Sequence, residues 1–202
     1  MELLSLAVLG ILIVISPGAD FVLIFKNSLS QGRSAGVLTS IGIASGVCIH
    51  VGYSIIGIGY FISENELLFS IVKYLGAAYL IYLGLTGVFK NKIKFNKEVE
   101  NNKSTLNSNY FLQGFLCNLL NPKTMLFFLS VFSQIIALGH STTFIVSYGA
   151  YIVILHGAWF CIVSYLVTSN SLLTILERFS RQINQVCGLG LVIFGVFLFL
   201  GG

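Results

Sequence analysis

Six long apolar runs alternate with short polar connections along the chain, over residues 3–25, 35–62, 67–89, 110–138, 143–168 and 183–200. A helix needs about 20 mostly apolar residues to cross a hydrocarbon core of about 30 Å. Backbone N–H and C=O groups find no partners in lipid, so a spanning segment must close its own hydrogen bonds. The shorter alternating segments of a barrel are absent. The pattern therefore predicts an all-α integral membrane protein with six transmembrane helices, the first run being retained as a span because no basic segment precedes it.

The polar connections carry a second pattern. Lys26 and Arg33 lie between runs one and two. Lys90, Lys92, Lys94, Lys97 and Lys103 lie between three and four, and Arg178 and Arg181 between five and six. The remaining connections hold Glu64 and Glu66, or only His140. Positive residues collect on every second connection, which places those loops in the cytoplasm and both termini outside.

Composition narrows the class. Of 202 residues 56% are hydrophobic and only 9% charged, against about 25% in soluble domains. Water-soluble, disordered and coiled-coil classes are excluded. The net charge of +4 comes mainly from the Lys-rich loop, a topology signal rather than a nucleic-acid footprint. Cys48, Cys117, Cys161 and Cys187 fall in apolar runs without CxxC spacing and read as buried free thiols.

The polar stretch 90–109 divides the chain into a first three-helix repeat, 1–89, and a second, 110–202. Three spans per half require the halves to be inverted. The first run of each is interrupted, at Ser16-Pro17-Gly18 and at Asn121-Pro122, and these prolines are the only two in the chain. The spacing from Pro17 to His50 nearly matches that from Pro122 to His156. Gly76 and Gly84 correspond to Gly188 and Gly195. Interrupted helices at matching positions of two inverted halves point to a transporter binding site.

Candidate chemistry gathers at the two breaks. Proline removes an amide donor and clashes with the preceding turn, and Gly18 permits an unwound segment. Asp20 is the only Asp in the chain. A carboxylate at this depth faces a wet cavity, a partner or a proton path, or caps the second half-helix. Asn118 and Asn121, three residues apart, would share one helix face. Lys123 has three options: hold a substrate carboxylate, pair with Asp20, or snorkel. His50 and His156 suit proton handling or interhelical hydrogen bonding. Gly42-xxx-Gly46 fits close helix packing, and Lys73 fits snorkelling at a helix end.

Four stretches of this sequence resemble the LysE/RhtB family of bacterial amino-acid exporters. They are ISPGAD (15–20), SQGRSAGVLTSIGIASG (30–46), YLGAAYLIYLGL (74–85) and GFLCNLLNPKTMLFF (114–128). The family's usual PGP reads Pro17-Gly18-Ala19 here. The resemblance implies six spans, a bacterial inner-membrane location and efflux of amino acids driven by the proton motive force. On this reading the chain is a secondary transporter exporting an amino acid or close derivative by proton antiport. The site is Asp20, Pro17, Gly18, Asn118, Asn121, Pro122, Lys123, His50 and His156. The partners are the substrate, protons and the lipid bilayer; Gly-rich faces are compatible with a homodimer, and the mechanism calls for no cofactor and no resident metal. The alternative is a metal or inorganic-ion exporter with Asp20, His50 and His156 as ligands. An enzyme is disfavoured by the absence of HExxH, GxSxG and paired intramembrane carboxylates.

Overall fold

A computed structural model describes residues 2–64, 66–89 and 109–200. Among them are eight helices and no strand. They are α1 (Glu2–Ile15), α2 (Ala19–Gln31), α3 (Arg33–Glu64), α4 (Glu66–Phe89), α5 (Tyr110–Leu119), α6 (Pro122–Ala137), α7 (Thr142–Val167) and α8 (Asn170–Phe199). The Lys-rich loop expected at 90–109 lies, but for Asn109, outside the described residues, as does the side chain of Lys73.

The first and fourth apolar runs are each a bent pair, as their prolines predict. α1 and α2 meet at 49°, and α5 and α6 at 53°. Each pair taken as one span is long and apolar enough to cross a bilayer, as are Arg33–Ile56 of α3 and Thr142–Val167. The described apolar parts of α4 and α8, Ala77–Phe89 and Arg181–Phe197, are shorter. One boundary differs from expectation. α8 starts thirteen residues before the sixth apolar run, so Arg178 and Arg181 lie on a helix rather than in a connection. In the sequence Leu172, Leu176, Phe179 and Ile183 recur at helical spacing through that polar stretch.

The outer surface is apolar where a water-soluble globule's is polar, and polar groups join the apolar core inside. Asp20, Asn27, Thr39, His50, Asn118, Asn121 and His156 are buried, while Leu3, Ile56, Ile154 and Ile193 project outward. Lipid accepts the outward apolar surface, and the inner polar groups must satisfy one another.

Two glycine seams set the helix packing. A Cβ on Gly42 would collide with the Phe111 carbonyl, and one on Gly114 with the Thr39 carbonyl, so α3 and α5 touch backbone to backbone. Gly84 and Gly188 do the same for α4 and α8. Close approach of this kind is what small residues supply where no hydrophobic drive holds helices together. α3 also packs on α7. α5 lies beside α2, so the two breaks face each other.

Candidate functional site

The breaks have different local causes. Pro17 has no N–H and disfavours helical geometry at Ser16, so α1 ends at Ile15. Gly18 is extended, and α2 begins after it. Pro122 instead occupies the first turn of α6, where its missing donor costs nothing. Asn121 caps that helix: its Oδ1 accepts the Lys123 N–H at 3.0 Å.

Asp20 sits at the second residue of α2 and is 6% exposed. Asn118 Nδ2 donates to its Oδ2 at 2.8 Å, and Asn121 Nδ2 donates to the same oxygen at 3.2 Å. Oδ1 is buried and receives no hydrogen bond. The Cys117 thiol lies beside the carboxylate. The capping alternative for Asp20 does not hold. Gly18 is the N-cap residue, with no side-chain cap bond, and the carboxylate reaches instead to the other half of the chain. Asn118 and Asn121 do not share a helix face either. Asn118 is in the last turn of α5 and Asn121 lies beyond it, and they converge on Asp20 because the chain bends between them.

Lys123 adds a third donor from the same side. Its ammonium donates to the Ser16 carbonyl, which the first break leaves available. Asn118, Asn121 and Lys123, at the second break, thus all donate to acceptors at the first. The path is open because residue 18 is glycine: a Cβ there would lie 3.3 Å from Lys123 Cδ. With its head held inside the protein, Lys123 does not snorkel.

The histidines occupy different surroundings. His50 Nε2 donates to the Asn118 carbonyl at 2.9 Å, its Nδ1 lies 2.7 Å from the Tyr53 hydroxyl, and its ring stacks on Phe128. That makes it a support for the strand of backbone carrying Asn118. His156 Nδ1 donates to the Ile152 carbonyl at 2.9 Å within its own helix, and the ring borders the cavity next to Asp20.

That cavity is enclosed and holds about 10 Å³, room for a single water. It is lined by Ser16, Gly18, Asp20, Asn121, Lys123 and Thr124 from the two breaks, by His156, and by apolar side chains from α1, α2, α6 and α7. Among the described residues no three His, Cys, Asp or Glu side chains converge as a metal site. The ligand set Asp20, His50 and His156 is accordingly not assembled, since both nitrogens of His50 face protein partners.

Sequence reasoning missed Thr124, whose Oγ1 accepts from Asn118 Nδ2 at 3.3 Å, and Tyr53. Tyr53 follows His50 by three residues, a helical-neighbour spacing that could have flagged it. It also missed a second polar cluster, in which buried Asn27 Nδ2 donates to Thr39 Oγ1 at 3.0 Å and to Gln113 Oε1 at 3.2 Å. Asn27 lies seven residues after Asp20, on the same face of α2.

The LysE type translocator family model matches residues 11–202. A threonine efflux protein of Escherichia coli (strain K12) is 29% identical, over 99% of this chain and 98% of its own length. A leucine efflux protein of Salmonella choleraesuis (strain SC-B67) is 30% identical, over 82% and 77%. An uncharacterized membrane protein of Bacillus subtilis (strain 168), YrhP, is 32% identical over 96% and 97%. No solved structure matches the chain.

Proposed function

This chain belongs to the LysE type translocator family, and we propose that it exports an amino acid or close derivative across the bacterial cytoplasmic membrane in exchange for protons. The relatives named for threonine and leucine efflux support the substrate class. The observation that carries the site assignment is the state of Asp20: buried, one oxygen held by two asparagines, the other without a hydrogen bond. A lone acceptor on a buried carboxylate suits the ammonium of an amino acid or a proton, and holding one excludes the other. That exclusivity couples the two fluxes. Lys123 and the amides at the start of α2 would hold the substrate carboxylate. Asn118, Asn121 and His50 orient Asp20, and His156 borders the path of the proton.

The architecture that serves this mechanism is two inverted three-helix halves, 1–89 and 110–202, with both termini outside. The paired breaks, the hydrogen bonds between them and the charge alternation of the connections support it. Rocking of one half against the other would open the enclosed cavity to each side in turn.

The test is efflux of labelled amino acids from vesicles loaded with the purified protein's candidate substrates, under an imposed proton gradient. Efflux that rises with an inward-directed proton gradient supports the reading. Efflux of no amino acid, or efflux indifferent to the gradient in direction and rate, contradicts it.

A further inference from the structure

We infer that the exported molecule carries a neutral, apolar side chain, an inference that rests on the amino-acid export reading and narrows it. The first ground is charge. The cavity is bordered by one carboxylate, Asp20, and one ammonium, Lys123. A zwitterionic amino acid matches both with its own backbone groups. A lysine or glutamate substrate brings a third charge. The chain has no second Asp, and among the described residues no Glu borders the cavity. The extra charge would enter a region without a counter-ion, which the low dielectric of the interior penalises.

The second ground is the lining of the cavity. Beside the charged and amide groups of the two breaks it holds Ile13, Val14, Phe21, Phe127 and Phe160, from α1, α2, α6 and α7. Phe127 is fully buried and Phe160 is 3% exposed. A substrate whose ammonium and carboxylate engage the polar groups leaves these apolar residues to meet its side chain. His156 also lines the cavity, with Nδ1 already committed to the Ile152 carbonyl. The volume of about 10 Å³ is too small for any side chain, so the lining must part to admit one, and Phe160 on α7 is placed to set how large it can be.

The experiment compares labelled leucine, threonine, lysine and glutamate, loaded singly into vesicles carrying the full-length protein under one proton gradient. The inference expects leucine to leave fastest, threonine more slowly, and lysine and glutamate at least about tenfold more slowly than leucine. Phe160→Ala should improve phenylalanine relative to leucine without admitting lysine, and Phe160→Leu should shift the ranking in the same direction by less. Lysine or glutamate leaving as fast as leucine overturns the inference and leaves amino-acid export standing. Threonine leaving fastest overturns it as well and points to His156 as the side-chain contact. If none of the four moves, the export reading fails and this inference with it.

Discussion

Asn121 joins Asp20 from 101 residues away, donating from Nδ2 to Oδ2 at 3.2 Å while its own Oδ1 caps the helix that starts with Pro122. One side chain thus ends one break and reaches the other. The two roles separate by mutation. Asn121→Asp keeps a capping oxygen but sets a second carboxylate against Asp20; Asn121→Ser keeps a cap and only loses the donor. Transport should fall about tenfold in the serine variant and to background in the aspartate variant, measured as initial efflux rate at equal protein in vesicles. Equal rates for the two would show that the contact with Asp20 is unimportant.

Asn118→Ala should be among the most damaging neutral substitutions. It removes the 2.8 Å bond to Asp20 Oδ2 and leaves that buried oxygen with a single donor. A hydrogen bond to a charged group contributes about 1.5–3 kcal/mol. The expected outcome is at least a tenfold loss of efflux with a lowered melting temperature in detergent. Wild-type efflux in a correctly folded variant would remove Asn118 from the mechanism.

Lys123 depends on Gly18 for its path to the Ser16 carbonyl. Gly18→Ala asks the flexible lysine chain to shift by a few tenths of an ångström and should be mild. Gly18→Val should displace it and resemble Lys123→Met, with substrate affinity reduced about tenfold or more and expression little changed. Competition binding with an amino acid and its carboxamide measures this: wild type should prefer the free carboxylate, and Lys123→Met should not.

The glycine seam between α3 and α5 fixes the helix that presents Asn118. Gly114→Val puts branched carbons where the Thr39 carbonyl lies, and the helices must separate. The variant should lose folded protein, seen as aggregation in size-exclusion chromatography. Gly52→Val, where nothing lies within 4 Å of an added Cβ, is the matched control and should fold normally.

The sequence made the helices and both breaks legible because proline, glycine and unbroken apolar runs act locally. It also singled out the residues that meet at the breaks, since Asp20 and Lys123 are conspicuous by cost alone inside apolar runs. What it could not supply were the partners. Asp20 left a cap open as its alternative, and only the contact between α2 and α5 shows that Asn118 and Asn121 receive it. His50 and His156 looked equivalent by spacing, yet one buttresses the Asn118 backbone and the other borders the cavity. Asn27, Thr39 and Gln113 carry no signal until three helices are packed, because uncharged polar residues are ordinary in helices and their partners are distant in sequence.

The coupling role of Asp20 is tested most directly by following lumenal pH in vesicles loaded with a transported amino acid. As substrate leaves the wild-type vesicles, protons should enter and the lumen should acidify in step with efflux. Asp20→Asn, which keeps the shape but cannot release or take up a proton, should abolish that acidification. Acidification in Asp20→Asn vesicles equal to wild type, at equal substrate efflux, would contradict the account.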